Sequence, residues 1–185
     1  MKRWVAAGAS IWVIGWAAPA WADEELAPKK PSKTEYSVSF LAGYGAGEQF
    51  EDDDANRYGL ALGARGGLTL QAPRLYFGLS FLHFGGSEAP SGERFTNTLD
   101  AEFGYEFRLL RDRLLIRPQL ALGVAQAVTL QSDYGGYPLG FHWAPGVLAG
   151  LRLAPVLFTA EYRRDIVTDD WPSSNTMLFG CGLTL

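Results

Sequence analysis

Residues 95–108, with the sequence FTNTLDAEFGYEFR, decide the fold class of this chain. Apart from Asn97, every second side chain from Phe95 onward is apolar or aromatic, and those between are small, polar or charged. Successive side chains leave a β-strand on opposite faces, so this period of two predicts a strand with one apolar and one ionic face. The stretch is longer than the roughly 9–11 residues that a tilted strand needs to cross a bilayer. We therefore predict that it crosses a membrane as a β-strand.

Seven other stretches repeat this alternation, and most connections between them alternate between short turns and long loops. The predicted strands cover residues 35–46, 57–70, 75–84, 95–108, 114–130, 141–153, 156–166 and 175–185. The four longer connections are rich in Gly, Asp, Ser and Pro, and no apolar run after residue 22 is long enough for a helical span. These features predict an all-β fold, an eight-stranded antiparallel up-and-down transmembrane barrel with short periplasmic turns and longer extracellular loops.

The first 34 residues have a different character from the rest. Residues 1–22 combine Lys2 and Arg3, an apolar run and the small-x-small site that ends at Ala22, which predicts a cleaved signal peptide. Residues 23–34 are polar and contain every lysine of the mature chain, so we predict a flexible periplasmic segment before a barrel at residues 35–185. The predicted location is the bacterial outer membrane. After cleavage acidic residues outnumber basic ones, which argues against a nucleic-acid partner.

A secreted, lipocalin-like barrel with its apolar face inside is the alternative fold. Three features favour the membrane barrel. The apolar face carries too many large rings for the narrow interior of eight strands. The polar face is rich in small residues, which leave room for long charged side chains. The chain after Thr34 contains eleven arginines and no lysine, and the arginine fork suits enclosed ion pairs.

Aromatic residues gather near the ends of the predicted strands, as in the interfacial girdles of outer-membrane barrels. Those toward the loops are Tyr58, Phe81, Phe95, Trp143 and Tyr162, and those toward the turns are Tyr36, Phe77, Phe107 and Phe158. Two residues conflict with the pattern. Pro118 and Pro145 lie inside predicted strands, where each removes a ladder hydrogen bond, so we expect a β-bulge near at least one of them.

The signal peptide, eight strands, three short turns, four long loops and alternating C-terminal strand resemble the small outer-membrane barrels of Gram-negative bacteria, the OmpA/OmpX-like superfamily. The resemblance covers about residues 34–185 and is architectural. It implies contact with outer-membrane lipid and lipopolysaccharide, insertion by the barrel-assembly machinery, and a monomer. In that family an aromatic residue usually ends the last strand and is read by this machinery, whereas this chain ends at Leu185.

The ionic face carries a balanced set of charges that we expect to project into the lumen and form ion pairs there, because an unpaired buried charge is costly. The set comprises Arg65, Arg108, Arg117, Arg152 and Arg163, with Asp100, Glu102, Glu106, Glu161 and Asp165. Glu106 should lie almost opposite Arg117. The charges expected to meet near mid-height are Arg65, Glu102, Glu161 and Arg163. A network that plugs the lumen is favoured, and an ion-conducting path remains the alternative.

The first long loop is strongly acidic. Its carboxylates are Glu48, Glu51, Asp52, Asp53 and Asp54. They could chelate divalent cations that bridge to lipopolysaccharide, but the spacing and glycine of an EF-hand loop are missing. We therefore predict a solvated acidic surface loop without a metal site.

Catalytic chemistry has little support in the sequence. Some eight-stranded outer-membrane barrels modify lipid A with a His near a Ser or an acid. The histidines here, His83 and His142, occur in no His-x-Ser pair, and no Gly-x-Ser-x-Gly elbow is present. We predict no catalytic residue, no metal site and no cofactor. Cys181, the single cysteine, cannot form an intrachain disulfide, and its parity points it at lipid.

The function predicted from the sequence is a non-enzymatic outer-membrane protein with a structural or surface-interaction role in the cell envelope. A narrow, porin-like channel for ions or small solutes is the alternative, and a lipid A-modifying enzyme is a distant third.

Overall fold

A computed structural model describes residues 34–47, 58–86, 94–129, 139–168 and 173–185. The predicted signal peptide, almost all of the predicted periplasmic segment and the acidic residues at 48–54 lie outside the described residues. Within these ranges, no helix has the length and apolar character that a membrane crossing requires.

The described residues form a sheet of long antiparallel strands. The strands are β1 (Thr34–Gly47), β2 (Gly59–Leu70), β3 (Leu75–Gly85), β4 (Arg94–Tyr105), β5 (Phe107–Leu109), β6 (Leu114–Thr129), β7 (Leu139–Leu153), β8 (Val156–Val167) and β9 (Ser174–Thr184). β4 and β5 are two parts of one strand, interrupted at Glu106, and both pair with β6. The sheet closes because β1 pairs with β9 as well as with β2. The predicted eight-stranded antiparallel barrel is therefore confirmed.

The register of the closed sheet is staggered. Starting at Glu35 and stepping to the paired residue on each neighbouring strand leads once around the barrel and back to β1 ten residues farther along. The residues on this path are Glu35, Thr69, Tyr76, Gly104, Gln119, Gly146, Arg163, Thr176 and Gly45. A stagger of this kind accompanies strands that tilt by about 35–45° to the barrel axis. The short connections lie at one end of the barrel, the turn rim, and the long ones lie at the other, the loop rim.

The two prolines interrupt the ladder without shifting it. The recorded pairs on either side of Pro118 keep the same register between the β4–β5 strand and β6. The pairs on either side of Pro145 do the same between β7 and β8. No residue is inserted at either position, so the expected bulge is wrong. A proline lacks the N–H donor of the ladder, and the chain accommodates this by leaving gaps in the pairing.

The two faces of the sheet differ as the alternation predicts. Large apolar side chains on the outer surface are exposed, and Phe40 reaches 76%. Charged side chains point inward and are buried, with Arg65 at 4% and Glu102 at 0%. Apolar side chains thus surround the barrel, and a lipocalin-like orientation is excluded.

Tyr58 is an exception to the predicted girdle. Its side chain is 1% exposed and packs edge-on against the buried Phe84 ring, with ring centroids 5.2 Å apart. The cause is Gly59, whose φ of 110° breaks the extended backbone at the start of β2. The alternation that holds along β2 therefore does not extend to Tyr58, whose ring lies inside the barrel toward the loop rim.

Replacing Gly59 by alanine should lower the free energy of unfolding by about 1–3 kcal/mol. The new Cβ would lie 2.5 Å from the Gly85 carbonyl oxygen, in a backbone conformation that alanine adopts poorly. Gly66→Ala is the matched control, because a Cβ there would meet nothing within 4 Å. Urea unfolding of the two variants, refolded in detergent micelles, measures the difference. Equal free energies of unfolding would contradict this role of Gly59.

Candidate functional site

The lumen of the barrel is the candidate site, because the structure places all ten sequence-predicted charges there. Eight of them are buried: Arg65, Asp100, Glu102, Glu106, Arg117, Glu161, Arg163 and Asp165. The other two, Arg108 and Arg152, are partly buried near the turn rim. Each comes from a strand position at which the alternation turns the side chain inward. Small residues on the same face leave the space that these long side chains occupy.

Halfway up the lumen, one arginine joins two carboxylates from distant strands. We call Arg65, Glu102 and Glu161 the central brace. Arg65 on β2 lies 2.7 Å from a carboxylate oxygen of Glu102 on β4 and 2.5 Å from one of Glu161 on β8. Gln119 on β6 donates a 2.8 Å hydrogen bond to the other oxygen of Glu161. Charge-assisted bonds of this length are the stronger class of hydrogen bond, so the brace ties four strands together across the interior.

An aromatic ring links the central brace to the charges nearer the turn rim. The Tyr76 hydroxyl donates to Glu102 over 3.4 Å, and the Arg117 guanidinium lies 3.5 Å above the centre of the Tyr76 ring. A cation over a desolvated aromatic face is attracted by the ring quadrupole. Arg117 therefore has both an aromatic and an ionic partner.

A second cluster closes the lumen near the turn rim. Glu106 lies 2.7 Å from Arg108 and 3.5 Å from Arg117, and it accepts a 3.0 Å hydrogen bond from Thr69. The flanking register places Glu106 opposite Arg117, as the sequence predicts. Glu35 pairs with Arg108 and Arg152. The sequence analysis did not include Glu35 among the lumen charges. Because its neighbour Tyr36 faces outward, the alternation along β1 predicts that Glu35 faces the lumen.

A third cluster lies toward the loop rim and is organised around His142. One ring nitrogen of His142 lies 2.6 Å from Asp100, and the other lies 3.0 Å from Asp165. Arg163 lies 2.8 Å from Asp165 and 3.7 Å from Asp100, and Thr176 donates to Asp165. The ion-pair partners of Arg163 thus lie between mid-height and the loop rim. The expectation that Arg163 meets Arg65, Glu102 and Glu161 at mid-height is therefore not met. Arg163 is two residues beyond Glu161 on β8, so its side chain emerges closer to the loops.

His142 completes the charge balance of the lumen. With Glu35 included, the described lumen has six carboxylates facing five arginines. Both ring nitrogens of His142 face carboxylate oxygens, and a carboxylate only accepts hydrogen bonds. A proton on each nitrogen therefore lets His142 donate to Asp100 and Asp165 together, which gives six positive and six negative groups. The sequence indicated neither a catalytic nor a metal-binding role for His142, and it did not predict this place in the charge network.

Apolar side chains fill the space beside these clusters. One group lies toward the loop rim and comprises Leu41, Tyr58, Ala61, Leu82, Phe84 and Leu178. A second, smaller group lies toward the turn rim and comprises Leu115, Leu148 and Leu157. In the part of the barrel that the structure describes, buried ionic and apolar side chains are thus found toward both rims and at mid-height.

The described residues contain no group of three or more His, Cys, Asp or Glu side chains placed to hold a metal ion. His83 lies apart from the lumen, and its ring forms a 2.8 Å hydrogen bond with Asn97 on the neighbouring strand. His142 is held between two carboxylates and is 0% exposed. The arrangement of His142 therefore serves to hold strands together, and its ring has no access to a substrate.

The architecture has clear counterparts among solved structures. The fold is that of a small outer-membrane β-barrel. Ail, the attachment invasion locus protein of Yersinia pestis, is similar over 83% of this chain and 99% of its own, with a TM-score of 0.58 and 13% identity. The N-terminal barrel domain of Pseudomonas aeruginosa OprF is similar over 80% of this chain and 97% of its own, with a TM-score of 0.55 and 14% identity.

Neisserial surface protein A is similar over 82% of this chain and 96% of its own, with a TM-score of 0.53 and 16% identity. By sequence, no family model and no curated protein matches the chain. At these identities the likeness establishes the fold, and it confirms the predicted resemblance to the small outer-membrane barrels.

Replacing Arg65 by glutamine should lower the free energy of unfolding by about 3–5 kcal/mol, because it leaves Glu102 and Glu161 buried without their shared cation. Urea unfolding in detergent micelles measures the loss. Arg111→Gln, on the exposed turn after β5, is the matched control and should cost less than about 0.5 kcal/mol. A loss in the Arg65 variant as small as in the control would show that the brace contributes nothing to stability.

Proposed function

We propose that this chain is a non-enzymatic protein of the bacterial outer membrane with a closed lumen, acting in the cell envelope through its surface. The belt of exposed apolar side chains around the barrel and the likeness to outer-membrane barrels support the membrane location. Export by a cleaved signal peptide, insertion by the barrel-assembly machinery, a monomeric state and contact with lipopolysaccharide belong to the same proposal.

The burial and pairing of the lumen charges is the observation that favours a closed barrel over a channel. A conducting path needs charged groups that face water and exchange ions. Here eight of the ten predicted charges are buried and lie close to an oppositely charged partner, and two groups of buried apolar side chains lie beside them. Moving an ion through the lumen would require breaking charge-assisted bonds in a water-poor interior, where an unpaired charge is costly.

The loops are the part of the barrel left to carry an interaction. A neighbouring structure is of Ail in complex with the heparin analogue sucrose octasulfate, a polyanion. The first loop of the present chain carries charge of the same sign as that ligand, since residues 48–54 include five carboxylates and no basic residue. Carboxylates repel a sulfated polyanion unless cations intervene, so the proposed surface role does not include that class of ligand.

Planar-bilayer recording tests the closed lumen. The refolded mature chain should insert without producing discrete single-channel steps. Glu106→Ala should lose stability, because Arg108 and Arg117 lose a shared partner, and should still show no steps. A refolded open porin, added under the same conditions, controls for insertion. Steps from the wild-type chain whose size changes in the Glu106 variant would establish the channel instead.

A further inference from the structure

The turn that joins β5 to β6 presents basic and apolar side chains at the turn rim. Leu109 and Leu110 are exposed, Leu110 to 73%, and Arg111 and Arg113 beside them are exposed as well. Leu110, Arg111 and Arg113 border an open depression on this surface. In the part of the chain that the structure describes, neither guanidinium has a carboxylate partner within ion-pair distance. The arginines in the lumen are paired, so these two differ from them.

A third arginine extends the basic surface to the adjacent connection. The Arg74 carbonyl accepts a 3.0 Å hydrogen bond from the Glu106 amide, which places the turn before β3 beside the β4–β5 strand. On the other side, the Arg113 carbonyl accepts a 2.7 Å hydrogen bond from the Arg152 amide of β7. Arg74, Arg111 and Arg113 therefore follow one another along one arc of the rim, with Asp112 as the acidic residue of these two turns.

The backbone of the turn is unusual for its sequence. Leu110, Arg111 and Asp112 have φ values of 51°, 57° and 66°, in the left-handed region. Glycine and asparagine adopt this region readily, whereas leucine and arginine are disfavoured there. Turn propensity therefore does not account for these residue types. The exposed side chains of Leu109, Leu110, Arg111 and Arg113, two apolar and two cationic, are typical of a surface that contacts both a phosphate layer and hydrocarbon.

We propose that this rim, defined by Arg74, Leu109, Leu110, Arg111 and Arg113, binds the phosphate of an anionic phospholipid in the membrane leaflet on the turn side. The proposal rests on the membrane location proposed above. The guanidinium forks match phosphate oxygens, and the leucines lie against the start of the acyl chains. Basic residues next to an anionic leaflet are attracted to it.

The test uses the mature chain in lipid nanodiscs, with backbone amide NMR shifts as the readout. Phosphatidylglycerol is increased stepwise in a phosphatidylcholine bilayer. Saturable shifts should concentrate at residues 109–113 and at Arg74. In the Arg111→Gln/Arg113→Gln variant the apparent affinity should fall about tenfold or more. Arg164→Gln is the matched control, since Arg164 is an exposed arginine toward the loop rim, and it should behave as wild type.

Three results would overturn the inference. Equal shifts at both rims would show a general surface-charge effect, and unchanged affinity in the double variant would exclude the two arginines. The same shifts with inorganic phosphate added to a pure phosphatidylcholine nanodisc would show binding of a free anion and not of a lipid. A chain that does not enter the nanodisc at all contradicts the membrane location itself, so the two failures are distinguishable.

Discussion

The structure depends on one constraint. The outer face of the barrel is apolar, so the charged side chains point into the interior, and charges buried there are costly unless they are paired. Arg65 is the centre of this arrangement. It reaches Glu102 and Glu161 on two other strands, and a hydrogen bond from Gln119 extends the contact to a fourth. Burying such a triad contributes little net stability relative to apolar packing. Removing one member, however, leaves the others buried without a charge partner, which is strongly destabilising. The paired charges therefore disfavour other arrangements of the strands, because those arrangements would separate the pairs.

Alternation and closure make this arrangement unique. A slip of one residue in any strand would turn its charges to the outside and its rings inward. Small residues inside the barrel are part of the same constraint. A Cβ at Gly67 or Gly78 would overlap the Tyr76 hydroxyl, which donates to Glu102. The glycines on the inner face thus leave space for the side chains that support the brace.

Period-two alternation was sufficient to predict the strands, their inward and outward faces and the ten lumen charges, because parity depends only on position along an extended chain. It failed where the backbone leaves the extended state or where pairing depends on depth. Gly59 turns Tyr58 inward, and the position of Arg163 along β8 directs it to Asp100 and Asp165. The partners of Glu35 lie 73 and 117 residues away in the sequence and could not be found without the stagger of the barrel. Both prolines looked like sites of a bulge, although a gap in the pairing accommodates them.

The central claim is that the apolar face of the barrel contacts hydrocarbon while the charges are enclosed. Cys181 allows a direct measurement, since it is the chain's single cysteine and is exposed between Phe40 and Phe158 on the neighbouring strands. A nitroxide attached there in reconstituted vesicles should be accessible to oxygen and shielded from a water-soluble nickel complex. The same label on Asp112→Cys in a Cys181→Ser background, on the exposed turn at the turn rim, should show greater access to nickel. Equal access of the nickel complex to both positions would contradict the account.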